Sequence, residues 1–140
     1  MERRDYLEKQ IEELGRVLAK ILGEFWGLKN NGQAGRGIEH ARQSLNEELD
    51  IDLDHLLACD KEKLSEIFSE KTTWNETNLD KLAELFFEIA VTYKEQGDFH
   101  RTRIICNRIL DIYEYIKLVS NVYSLSRYQK TREIEVMMME

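Results

Sequence analysis

The sequence predicts an all-α protein, and three observations carry that prediction. Proline is absent from all 140 residues, so the residue that most strongly breaks helices is missing. Apolar residues recur at three- and four-residue spacing nearly everywhere, and the β-branched alternation of a half-buried strand is scarce. With 42% hydrophobic and 34% charged residues, a chain of this length has material for one compact core. A single-domain bundle of about six helices is the expectation.

The first element, over residues 1–29, is the clearest. Leu7, Ile11, Leu14, Leu18, Ile21, Phe25 and Leu28 follow a 4-3-4-3-4-3 spacing, which draws one seam along a helix. Val17 and Leu22 beside it widen the seam into the face of a bundle helix, with an intermolecular coiled coil as the alternative. Residues 30–37 are rich in Gly and Asn and read as a flexible linker. No strand precedes these glycines and no Lys-Ser or Lys-Thr follows them, so they do not form a phosphate-cradling loop. A second helix is predicted from about Ile38 to Leu49.

Residues 38–72 continue as short acidic helices. Asp52 is placed to cap a helix over 53–58 while Ile51 packs on Leu56, and Asp60 repeats the arrangement for a helix over 61–70, with Cys59 and Leu64 as the apolar pair. Trp74 falls in a turn. Thr73 with Glu76, or Thr77 with Asp80, then offers a capping box for a long helix over about 78–96. Apolar residues cover most of this helix, which marks it as central. Gly97-Asp98 makes the next turn, and a partner helix follows over about 99–118, so residues 78–118 form an antiparallel hairpin. The C-terminal segment, 119–140, is expected to form a last helix after Ser124 or Ser126.

The hairpin over residues 83–114 resembles a tetratricopeptide unit. Phe86, Ile89, Ala90, Tyr93, Gly97 and Phe99 match that motif's aromatic, Leu-Gly, Tyr, Gly and aromatic positions. The second half departs from it: Thr102 and Ile109 replace small alanines, Cys106 an aromatic and Glu114 the closing proline. Over most of its length the chain also resembles a family of small uncharacterised bacterial all-helical proteins. That likeness lies in Arg4-Asp5-Tyr6, Gln10-Ile11-Glu12-Glu13-Leu14, Asp50-Ile51-Asp52-Leu53-Asp54 with Leu56-Leu57, and Val122-Tyr123-Ser124-Leu125. It implies a fold and no activity.

Charge narrows the function classes. The net charge is -7, and residues 39–88 hold five Lys/Arg against fourteen Asp/Glu. Such a balance repels phosphate backbones, so nucleic acid is not an expected partner. The N-terminus lacks the apolar stretch of a secretory signal, and no segment approaches membrane-spanning length, so a cytoplasmic protein without a membrane partner is expected. Cys59 and Cys106 lack the spacing of a redox or zinc motif and read as buried thiols.

Candidate chemistry is sparse. Asp50, Asp52 and Asp54 have the spacing that opens a calcium loop, but His55 stands at its Gly position and Lys61 at its closing Glu, so capping is the better reading. His55 and Cys59 lie one helical turn apart without further ligands; no metal, cofactor or catalytic residue is assigned. His100, Arg101, Arg103 and Arg108 gather on one helix as an anion-binding candidate, against a solvated, ion-paired face. Ile134, Met137, Met138 and Met139 end the chain with flexible thioethers suited to a partner or a second subunit, or to packing back on the bundle. The expectation is a non-enzymatic helical protein–protein interaction or scaffold module that binds a protein or peptide, with a homodimer in view. The alternative is a small anion- or nucleic-acid-sensing regulator using the basic residues.

Overall fold

The computed structural model describes residues 2–139. Among them stand seven α-helices and no strand: α1 (Glu2–Asn30), α2 (Ala34–Leu49), α3 (Leu53–Ala58), α4 (Lys61–Ser69), α5 (Glu76–Glu95), α6 (Phe99–Ser120) and α7 (Leu125–Met138). The protein is all-α. Its chain gathers into two compact units, Met1–Lys81 and Leu82–Glu140, and the division falls inside the continuous helix α5.

In the first unit α1 packs against α2. Leu18, Ile21 and Phe25 are at most 1% exposed, so the middle of the predicted seam is covered within the chain and is closed to an intermolecular coil. Leu7, Ile11 and Leu28 are half-buried. The turn that reverses the chain is tighter than the predicted linker over 30–37. Gly32 takes φ +75°, a conformation that costs glycine little, and the Gln33 amide donates to the Leu28 carbonyl at 2.9 Å. Helix α2 begins at Ala34.

Gly37 lies inside α2 and is buried, and its role is close approach. A Cβ there would lie 3.2 Å from Phe25 Cδ2 and 3.3 Å from the Phe25 carbonyl oxygen, so the missing side chain lets the two helices meet. Gly23, in the interior of α1, has nothing within 4 Å of the same position. Replacing Gly23 with alanine is therefore expected to stabilise the protein by about 0.5–1 kcal/mol, the ordinary helix-interior gain. Gly37→Ala is expected to forfeit that gain, because the contact includes backbone as well as ring. Urea denaturation followed by tryptophan fluorescence checks both; equal gains would show that the helices yield at no cost.

The caps of the acidic middle segment form as predicted. Asp52 accepts from the His55 amide at 3.2 Å, and Asp60 from the Lys63 amide at 2.8 Å. The start of α5 differs. Asn75 rather than Thr73 or Thr77 precedes the helix: its Oδ1 accepts from the Asn78 amide at 3.0 Å, and the helix opens at Glu76. Asn78 is 2% exposed, and its side-chain Nδ2 donates to the carbonyls of Ile11 at 3.0 Å and Thr73 at 2.9 Å. A buried amide that finds two acceptors is satisfied rather than costly, and this one ties α1 to the loop before α5. Trp74 is buried in that loop, edge-on to Phe68 at 5.5 Å between centroids.

In the second unit, Gly97 at φ +79° and Asp98 make the turn into α6. Asp98 accepts from the Arg101 amide at 3.1 Å and from its guanidinium at 2.7 Å. These bonds, the backbone one first, hold its carboxyl below the usual carboxylate range. So short a connection returns α6 along α5, and the Arg101 guanidinium lies 5.7 Å over the Tyr93 ring. The core combines Phe86, Ile89 and Ala90 of α5 with Ile105, Cys106, Ile109, Ile112 and Ile116 of α6, none more than 2% exposed. Helix α7 packs on α6, and its Lys130 ammonium sits 3.9 Å over the Phe87 ring.

Candidate interaction surface

The residues nominated by the sequence do not converge on a site. At about 100° per helical residue, Arg101 and Arg108 share one stripe of α6, while His100 and Arg103 lie well round the helix from it. Arg108 is 7% exposed and pairs with Asp111 at 3.3 Å, so it is a buried ion-paired side chain rather than a surface anion ligand. Arg101 is engaged with Asp98 and Tyr93. His100 and Arg103 remain exposed but form no common patch with the other two.

The C-terminal candidates divide as well. Ile134 is 0% exposed and belongs to the core of the second unit, because α7 needs an anchor against α6; it is removed from the partner-binding set. Met137 and Met138 are half-buried, and Met139 is 82% exposed.

The acidic and thiol candidates are absorbed by the fold. Asp50 ends α2 in a left-handed conformation at φ 56°, Asp52 caps α3, and Asp54 faces Arg42 at 3.4 Å. These three carboxylates serve separate local roles. Cys59, expected to be buried, is only half-buried at the end of α3 and donates its thiol to the Leu56 carbonyl at 3.4 Å. Cys106 is buried, and burial pushes its thiol up to about 11 against a slight lowering by Lys94, which keeps it protonated and unreactive near neutrality. Among the described residues no group of three or more His, Cys, Asp or Glu could hold a metal ion.

The first unit carries an open cleft of about 640 Å³ between α1, the end of α2 and residues 70–73. Of the three carboxylates that line it, Glu13 pairs with Arg16 at 2.7 Å and Glu48 with Lys20 at 2.9 Å; Glu70 is the third.

The corner between α6 and α7 is different. Helix α6 stops at Asn121, which adopts φ 55° and donates its amide to the Lys117 carbonyl at 3.2 Å. Asparagine tolerates that left-handed conformation better than most residues. Ser124 then caps α7 by accepting from the Arg127 amide at 3.2 Å. The chain between these caps is short and turns its apolar side chains outward. Leu118 is 77% exposed, Val119 61%, Val122 59%, Tyr123 75% and Leu125 58%.

Beside them lies a groove of about 420 Å³. Tyr113, Tyr123 and Tyr128 supply its aromatic surface and Lys117 and Arg127 its charge; no carboxylate lines it. The Tyr123 and Tyr128 rings stand 6.4 Å apart, tilted by 42°. Arg132 donates to the Tyr128 hydroxyl at 3.4 Å, and the Thr131 hydroxyl to the Arg127 carbonyl at 2.8 Å. The sequence does carry a signal for this corner. Residues 118–126, Leu-Val-Ser-Asn-Val-Tyr-Ser-Leu-Ser, form the longest stretch without a charged residue in the chain.

No protein-family model, curated protein or solved structure matches this chain. No helix among the described residues is long and apolar enough to cross a membrane.

Proposed function

We propose that this chain is a non-enzymatic helical interaction module that docks a protein partner on the α6–α7 corner. The observation that carries the reading is the density of exposed apolar side chains there, from Leu118 to Leu125. Contiguous apolar surface of this kind marks interaction sites, because leaving it in water forgoes burial worth roughly 25 cal/mol per Å². The adjoining tyrosines suit an interface, since each offers a large apolar face and a polar tip.

Two further features support the reading. The Cys106 thiol is buried and kept protonated, which agrees with a binding role. The α5–α6 hairpin, with Gly97 in its turn and Phe86, Ile89 and Ala90 buried, agrees with a tetratricopeptide-like unit, an architecture built for presenting surfaces to partners.

The test is capture from a lysate of the protein's own cells with the tagged full chain, read by quantitative mass spectrometry. The comparison is a variant carrying Leu118→Glu and Tyr123→Ser, two exposed positions whose change leaves the core intact. A protein enriched by the natural chain and lost by the variant is the expected result. An identical set of captured proteins from both would overturn the proposal, and a change from monomer to dimer that the variant abolishes would identify the partner as a second copy.

A further inference from the structure

Resting on the reading of the α6–α7 corner as a docking surface, we infer that its partner is a second copy of this chain, held in a weak two-fold dimer. A two-fold axis sets the same patch of both copies face to face, so a patch that carries net charge repels itself. Each copy carries -7 overall, and residues 39–88 alone hold five Lys/Arg against fourteen Asp/Glu, so two copies repel when those residues approach. Residues 118–126 hold no charged residue, and no carboxylate lines the adjoining groove. Of the two cations there, Arg127 already has a partner within the chain, and the exposed Lys117 has a stem long enough to leave its ammonium in water. Two negative chains can therefore meet at this corner without setting like charges against each other.

The corner also carries both halves of a self-complementary contact. Leu118, Val119 and Leu125 are exposed and stand outside the lining of the groove, while Tyr123 and Tyr128 line its volume of about 420 Å³, room for a few aliphatic side chains. In a two-fold interface a residue that meets a second residue across the axis is answered by the reverse contact, so one pairing fills the groove of each copy. Area sets the strength. Leu118, Val119, Val122, Tyr123, Leu125 and Tyr128 are each at least half exposed. Burying an aromatic side chain covers about 200 Å² and an aliphatic one roughly half that, so at these exposures each copy offers roughly 500 Å². Two copies then bury about 1,000 Å² in all, the lower bound for a specific interface, and the dimer is weak and reversible. Salt gives a sign that separates this partner from others: it screens the repulsion between two negative copies and tightens the dimer, whereas it loosens a complex with an oppositely charged partner.

The experiment is sedimentation equilibrium of the purified full chain from about 10 μM to 1 mM, the span over which a contact of this size associates. A monomer–dimer equilibrium that added sodium chloride tightens is the expected result. Leu118→Glu sets a carboxylate against its own counterpart and is expected to raise the dissociation constant about tenfold or more. Val119→Lys serves as a second variant, Met139→Ala, at another exposed position, as the control that leaves the dimer unchanged, and circular dichroism verifies that each is folded. Amide resonances of the natural chain, followed on dilution, are expected to move at residues 118–128. A dimer that both variants leave intact, whose moving resonances lie elsewhere, or that salt dissociates would overturn the inference. A chain that stays monomeric to about 1 mM overturns the second copy as partner, and the lysate capture then decides the docking surface separately: a protein lost by the Leu118→Glu, Tyr123→Ser variant keeps that surface with a different occupant.

Discussion

Phe25→Ala is expected to lower the stability of the first unit by about 3–5 kcal/mol, the range for removing a fully buried aromatic ring. The ring is 0% exposed and lies against Gly37 where α1 meets α2, so its loss opens a cavity between the two helices. Neighbouring backbone already in contact through a glycine has little freedom to collapse into that space. Both tryptophans of the chain, Trp26 and Trp74, lie in this unit, so the midpoint of a urea transition followed by tryptophan fluorescence reads it directly. A loss under about 1 kcal/mol would mean that the site collapses freely. The double variant Phe25→Ala, Gly37→Ala supplies an internal check: with the ring gone, the Gly37 methyl loses its two ring contacts and keeps the one to the Phe25 carbonyl, and the cost of Gly37→Ala should shrink.

The same contact shows why part of the fold was legible in the sequence and part was not. The α1 seam was legible because its spacing is strict and its central members are all core residues. The boundaries of α3 and α4 were legible because Asp52 and Asp60 act within three residues of themselves, and such caps are local chemistry. Gly37 was misread as linker because a glycine that grants close approach looks in sequence like a glycine that grants freedom. The difference lies in Phe25, distant in sequence. The cap at Asn75 was missed for a related reason, since Thr73 and Thr77 offer equally good local signatures and only the fit of Asn78 against Ile11 and Thr73 selects among them.

Function was less legible still. Charged residues on α6 drew the anion reading because they are close in sequence, whereas their faces on the helix differ and Arg108 is committed to Asp111. The α6–α7 corner was overlooked because its residues are apolar, and an apolar residue in a single sequence reads first as core. Leu118, Val119 and Val122 are exposed at the corner where Asn121 ends α6 and Ser124 starts α7. Exposure is a property of the assembled chain.

Ile134→Ala is expected to cost the second unit about 2–5 kcal/mol, the range for a fully buried branched aliphatic side chain. Helix α7 makes this residue unusually consequential. Leu125, Tyr128, Val136 and Met139 are all at least half exposed, and among the described residues of α7 only Ile134 is buried. With its apolar residues spread round its circumference, α7 depends on that one anchor and on contacts such as Lys130 with Phe87. Hydrogen exchange along α7, together with the thermal midpoint by circular dichroism, measures the effect. The matched control is Met139→Ala, at a position 82% exposed, where a change within about 0.5 kcal/mol is expected. Equal small effects at the two positions would show that α7 is held by something other than Ile134. The contrast also governs how the end of the chain can be probed: a truncation before Ile134 removes the anchor together with the methionines, so a loss of binding would report unfolding of α7. Point changes at Met137, Met138 and Met139 separate the two, and if the partner docks on the α6–α7 corner they leave its binding unchanged while Ile134→Ala weakens it by loosening the helix that carries Tyr128 and Arg127.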